Sequence, residues 1–253
     1  LPVTVSNLSN VIAIAGDYDH TVALKSDGTV WAWGWNIYGQ LGNGGATNRS
    51  TPVQVSNLNN VIAIAGDYGH TVALKSNGTV WAWGSNSGGQ LGDGATTNRS
   101  TPVQVINLSN VIAIAAGHAH TVALKSDGHV WAWGVNNFGQ LGNGTTTDRN
   151  SPVQVNTLSN VIAIAAGTVH TVALKSNGTV WAWGENDYGQ LGDNKGSGSS
   201  SNLPVQVHGF GRVEFLRLFP SSQTIFFSRA PTVVVGGTGA VSATATSGLP
   251  VTF

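Results

Sequence analysis

The residues best suited to chemistry are four histidines at a fixed interval of 50 residues, His20, His70, His120 and His170, each followed by Thr-Val-Ala-Leu-Lys-Ser. A ring of imidazoles around a channel could hold a transition metal. Metal-bound histidine is ordinarily oriented by an acid or carbonyl on its second nitrogen, and no carboxylate recurs beside these four. The expectation is therefore structural: each histidine bonds the backbone of its neighbour and locks a corner of the repeat. His118, His129 and His208 break the pattern and are expected to be isolated and to face solvent.

The other ionisable groups argue the same way. Asp27 and Asp127 occupy places that Asn77 and Asn177 take in alternate units; a turn tolerates that exchange, whereas a catalytic carboxylate does not. Lys25, Lys75, Lys125 and Lys175 recur near hairpin ends, where a solvated ammonium is expected rather than a Schiff-base nucleophile. The chain has no Cys, no Gly-x-Ser-x-Gly, no phosphate-cradling loop and no His-Glu-x-x-His. No catalytic residue, metal ligand or cofactor is assigned. Asn48-Arg49-Ser50 and Asn77-Gly78-Thr79 satisfy the glycosylation sequon but read as turns rich in Asn, Gly and Thr.

The elements that must position these residues are strands. Val-Ile-Ala-Ile-Ala recurs from 11, 61, 111 and 161, a continuous apolar run expected to be covered on both faces. Thr-Val-Ala-Leu-Lys-Ser then leads into Asp27-Gly28, Asn77-Gly78, Asp127-Gly128 or Asn177-Gly178, dipeptides suited to a two-residue hairpin. Val-Trp-Ala-Trp-Gly returns from that turn, and Pro-Val-Gln-Val supplies a short fourth strand starting at its proline. In the fourth unit this last element is displaced by a Gly/Ser-rich insertion over 195–202.

A four-stranded sheet of this size cannot bury both faces alone, and stacking such sheets around an axis gives a β-propeller. The tryptophan pairs Trp31/Trp33, Trp81/Trp83, Trp131/Trp133 and Trp181/Trp183 are spaced two apart and share one face. The alanine between them points the other way and lets the next sheet approach. These eight indoles are read as packing groups rather than sugar-stacking platforms.

The architecture expected is thus all-β, with propeller units at 11–60, 61–110, 111–160 and 161–207. Residues 1–10 match the end of a unit, so the array is expected to begin upstream. Residues 208–253 leave the pattern.

Composition narrows the function. Lys plus Arg number 11 and Asp plus Glu number 11, so the net charge is zero and only 9% of residues are charged. Nucleic-acid and membrane-surface binders need concentrated positive charge, so neither partner is expected. No apolar run is long enough to span a bilayer. The weight of Gly, Ser, Thr and Asn suits an exported bacterial protein, secreted or displayed at the cell surface.

Ala-Gly-x-x-x-His-Thr-Val-Ala-Leu, then Asp/Asn-Gly-x-Val-Trp-Ala-Trp-Gly-x-Asn-x-x-Gly-Gln-Leu-Gly, resembles the regulator of chromosome condensation repeat family over residues 1–207. The resemblance implies a propeller, usually of seven blades. A kelch propeller has a similar period, but its paired glycines are sporadic here, at Gly44-Gly45 and Gly88-Gly89. The founding member of the family exchanges nucleotide on a small GTPase and docks on chromatin; this chain lacks a basic tail, and its loops are short. Residues 208–253, with Gln223-Thr224-Ile225-Phe226-Phe227, resemble the opening strands of a bacterial immunoglobulin-like module.

Near-identical repeats serve as their own comparison. Positions equal in every unit serve the fold, and positions that differ are free for contact. One variable set follows Trp-Ala-Trp-Gly and holds Trp35, Ile37, Tyr38, Phe138, Glu185, Asp187 and Tyr188. A second precedes the repeated histidine and holds Asp17, Tyr18, Tyr68 and His118. Aromatic side chains give much contact area for little lost entropy, which makes Trp35, Tyr38, Phe138 and Tyr188 the expected anchors. The function expected is a non-enzymatic scaffold binding a protein or glycan, with possible self-association through open blade ends. The alternatives are a guanine-nucleotide exchange factor-like regulator, marked by a basic tail, and a propeller-based lyase or hydrolase, marked by an acid and base that break the repeat.

Overall fold

The computed structural model describes residues 4–208 except 7 and 17. The chain divides into two units, Leu1–His208 and Gly209–Phe253. The candidate residue Asp17, the orphan residues 1–3 and the immunoglobulin-like reading of 209–253 lie outside the described residues.

Sixteen strands form four antiparallel sheets, each a meander in chain order. Blade one holds β1 (Val11–Gly16), β2 (His20–Lys25), β3 (Val30–Gly34) and β4 (Arg49–Gln54). Blade two holds β5 (Val61–Asp67), β6 (His70–Lys75), β7 (Val80–Gly84) and β8 (Arg99–Gln104). Blade three holds β9 (Val111–Ala116), β10 (His120–Lys125), β11 (Val130–Gly134) and β12 (Arg149–Gln154). Blade four holds β13 (Val161–Ala166), β14 (His170–Lys175), β15 (Val180–Gly184) and β16 (Ser201–Gln206). The first strands β1, β5, β9 and β13 are mutual neighbours and form the inner row, and the fourth strands form the outer edges.

Three local expectations are corrected. The hairpin between β2 and β3 has three residues rather than two: Gly28 N–H donates to the Lys25 carbonyl, Lys25 N–H donates to the Thr29 carbonyl, and only Gly28 has positive φ, at 77°. This is a type I turn closed by a left-handed glycine. Asp27 is required for its Oδ1, which accepts from Thr29 N–H at 3.0 Å; Asn77 Oδ1 does the same for Thr79 at 3.2 Å, which explains the Asp/Asn exchange. The outer strand begins at Arg49, three residues before Pro52, because Arg49 pairs with Gly34; the proline is tolerated because this strand is the sheet edge.

The inner strand is not covered on both faces. A bulge falls between Val11 and Ala13 and recurs in each blade, and it turns Ile12, Ile62, Ile112 and Ile162 outward at 55–64% exposure.

The core lies between blades. Val22, Leu24, Val30, Ala32 and Leu41 of blade one pack with Ala73 and Trp83 of blade two, and the same set recurs at the next two junctions. The Trp pair thus reaches back to the preceding blade while the central alanine faces the following one. Trp83, Trp133 and Trp183 are fully buried; each removes about 150–250 Å² from water, worth roughly 4–6 kcal/mol before entropy is subtracted. Trp81 and Trp181 are half-buried, each donating from Nε1 to the hydroxyl of the turn threonine, and a lysine ammonium lies over every ring of the Trp31, Trp81, Trp131 and Trp181 series at 5.5–5.8 Å. The recurrent lysines therefore pack on tryptophan as well as meeting solvent.

Candidate functional site

The repeated histidines hold blades together by a route not anticipated. Their partner is the hydroxyl of the next blade's threonine rather than a neighbouring backbone group. His20 Nε2 lies 2.9 Å from Thr71 Oγ1, His70 Nε2 3.0 Å from Thr121 Oγ1, and His120 Nε2 3.1 Å from Thr171 Oγ1. Each threonine hydroxyl donates in turn to a glutamine carbonyl of the preceding blade: Thr71 to Gln40 at 3.0 Å, Thr121 to Gln90 and Thr171 to Gln140 at 2.8 Å. The threonine proton is thereby committed, so its oxygen accepts, and the histidine carries its proton on Nε2. The same carbonyls accept from Trp83, Trp133 and Trp183 Nε1 at 2.8–2.9 Å. His120 is buried, and desolvation first, then the neighbouring His70, His170 and His118, lowers its pKa to about 3. These imidazoles are neutral fastenings between blades.

The constant asparagine after Trp-Ala-Trp-Gly was not singled out from the sequence. Asn36, Asn86, Asn136 and Asn186 are all fully buried. Asn136 Oδ1 accepts from Leu141 N–H at 2.9 Å, and its Nδ2 donates to the carbonyls of Thr145 and Thr147 at 2.9 and 3.1 Å. Its presence in every unit, inside a loop that otherwise varies, was the available signal.

These fastenings fix where the variable residues emerge. In an up-down meander the loop between the first and second strands and the loop between the third and fourth share one rim, so both variable sets surface on the same side. They also meet. Trp35, after β3 of blade one, contacts Tyr68, after β5 of blade two, with ring centroids 6.4 Å apart at 71°, and Tyr38 edge-on at 5.1 Å. Tyr68 lies 6.1 Å from Tyr18 and 4.0 Å from His118. The five rings span three blades.

His118 is therefore neither isolated nor solvent-facing: it is half-buried beneath Tyr68. His129 is half-buried, with Nδ1 3.3 Å from Asp127 Oδ1, and only His208 is exposed as expected. Within the cluster Tyr18 is 80% exposed. Tyr68 is held at φ 51°, a left-handed conformation that costs an aromatic L-residue about 1 kcal/mol.

The remaining candidates lie apart. Ile37 is exposed beside Trp35, and Phe138 lines a shallow groove with Asn137, Thr146 and Ser200–Asn202. Glu185 accepts from Gln190 Nε2 at 3.0 Å, and Asp187 and Tyr188 project into solvent, Tyr188 with 92% of its surface exposed. Among the described residues no group of three or more His, Asp or Glu gathers to hold a metal ion.

Consecutive four-stranded meanders joined through their faces define the class: these are β-propeller blades. The chain belongs to the RCC1-like domain family, whose profile matches residues 1–246. It is similar to human WBSCR16, with 26% identity, a TM-score of 0.71, and coverage of 79% of this chain and 53% of that one. It is also similar to Prp20p of Saccharomyces cerevisiae, with 25% identity, a TM-score of 0.70, and coverage of 81% and 52%. That structure was described together with binding of Prp20p to Gsp1p and histones. A segment of 54 residues is 41% identical to the ultraviolet-B receptor UVR8 of Arabidopsis thaliana, covering 21% of this chain and 12% of the receptor. The chain spans about half the length of these solved relatives.

Proposed function

We propose that the chain is a non-enzymatic binding scaffold that takes a protein partner on the rim bearing Tyr18, Trp35, Tyr38, Tyr68 and His118. The observation that carries this reading is Tyr68: an aromatic residue kept in a left-handed conformation at the centre of a ring cluster that remains open to solvent. Strain at an exposed position is retained where the resulting geometry is used, and Tyr and Trp dominate binding hot spots. The binding of Gsp1p and histones by a relative supports a protein ligand over a glycan. The same proposal places the protein outside a bacterial cell, on composition alone; fractionation of the source cells tests that part.

The test is capture of partners from extracts of the source organism, beside a glycan array. Replacing Tyr18, Trp35 and Tyr68 together by serine is expected to abolish capture, while Tyr188→Ser, at the equivalent loop of blade four, leaves it intact and both variants keep the β circular-dichroism signal. Undiminished capture by the triple variant refutes the site, and a hit confined to the glycan array refutes the protein ligand.

The likeness to a Gsp1p-binding protein favours one second reading, a regulator of nucleotide exchange on a small GTPase. Accelerated release of fluorescent nucleotide from such a GTPase would install it.

A further inference from the structure

Three junctions join the four blades, and all use the same parts. A receiving face, built in blade one from Val22, Leu24, Val30 and Ala32, takes an inserting face, built in blade two from Ile64, Trp81 and Trp83. The two faces are fastened by Trp83 Nε1 and Thr71 Oγ1 donating to the Gln40 carbonyl, and by His20 on Thr71. The receiving side closes tightly: a Cβ on Gly42 would lie 2.7 Å from Trp83 Nε1, and one on Gly39 would lie 2.5 Å from Ser100 Cα.

The four described blades carry both halves of a fourth junction at opposite ends. On the inserting side, Ile14 of blade one is 74% exposed, while its counterparts Ile64, Ile114 and Ile164 are packed against a preceding blade. Trp33 is only half-buried, where Trp83, Trp133 and Trp183 are fully buried. On the receiving side, a Cβ on Gly189 would meet nothing within 4 Å, and one on Gly192 would meet only Val207, with no indole above it. Val172, Leu174 and Val180 of blade four are half-buried, where Val72, Leu74 and Val80 are fully buried.

We infer that these two faces are complementary and that a second copy of the chain docks head to tail across them. Trp33 of the second copy lies over Gly192 and donates to the Gln190 carbonyl; Thr21 of the second copy donates to the same carbonyl and accepts from His170 Nε2. Continuity with three existing junctions selects this occupant: every residue that makes the lock at Gln40, Gln90 and Gln140 is present in the two open halves. The chain's own residues beyond 208 cannot supply the inserting face, because no Trp follows Trp183. The contact is heterologous, so it propagates from copy to copy unless the curvature closes a ring. It is independent of the aromatic rim, whose loops lie on a different surface.

The experiment uses the full 253-residue chain in sedimentation and light scattering across concentrations. The unmodified chain is expected to gain mass with concentration. Ile14→Glu blocks the inserting face and Ala165→Glu the receiving face, both at exposed positions; Ala163→Glu, also exposed, replaces the latter if it melts early. Each variant alone is expected to stay monomeric. An equimolar mixture of the two is expected to form a one-to-one dimer and stop there, since only one competent face of each kind remains. A parent chain that stays monomeric at every concentration overturns the inference. So does a blocked variant that still self-associates, or a mixture of blocked variants that stays monomeric.

Discussion

One hydroxyl at each junction carries two bonds. Thr121 donates to the Gln90 carbonyl and accepts from His70, within a site that no water reaches, so neither bond can be traded for solvent. The neighbouring His120 must stay neutral, and this sets a pH dependence. Its pKa falls from 6.5 in the unfolded chain to about 3 in the fold. Below pH 6.5 the unfolded state therefore binds a proton that the native state refuses, and stability falls as pH drops from 6.5 toward 3. The expected slope is about 1.4 kcal/mol per pH unit for each such histidine. His170, half-buried and shifted the same way by desolvation, adds less. Urea midpoints at pH 7 and 5 measure the loss, and His120→Gln is expected to flatten the dependence while lowering stability at pH 7.

At the scale of elements, the loops that look variable rest on an invariant hub. Asn136 satisfies one backbone donor and two backbone acceptors of its loop, so Asn136→Ala strands three polar groups near the core. At about 1–3 kcal/mol for a buried group left unpaired, the expected loss is on the order of 3 kcal/mol in a urea melt. Asp127→Asn, in the hairpin, serves as the control: Asn77 already makes the same turn bonds, so its expected effect is under about 0.5 kcal/mol. The contrast separates a residue that merely recurs in a turn from one that builds the rim.

Across the whole molecule, stability is a sum of blade and junction terms, because each blade touches only its neighbours. Blades two and three are covered on both faces, and blades one and four on one. Leu74 and Leu124 are fully buried while Leu174 is half-buried. Hydrogen exchange is expected to be slowest in β6 and β10 and faster in β14, whose receiving face is open. If head-to-tail docking covers that face, protection of β14 rises with protein concentration, whereas β6 and β10 do not change.

The period, the strand order and the direction in which each tryptophan points were all legible in the sequence. Each follows from local rules that repetition states four times: alternation along a strand, a turn dipeptide between strands, and an invariant aromatic pair. Hairpin length and strand start were misread, because a left-handed glycine closes a three-residue turn as readily as a two-residue one, and because an edge strand tolerates an internal proline. What tertiary structure alone decided is every contact between blades. That His20 seeks Thr71, 51 positions away, and that Trp35 meets Tyr68 depend on how one sheet is rotated against the next. Side-chain periodicity within a single strand carries no information about that rotation. The two variable sets were visible from Trp35 and Tyr18 onward, but their union into one rim follows from the meander and the packing between blades, since residues with no sequence proximity become neighbours only once the faces have locked.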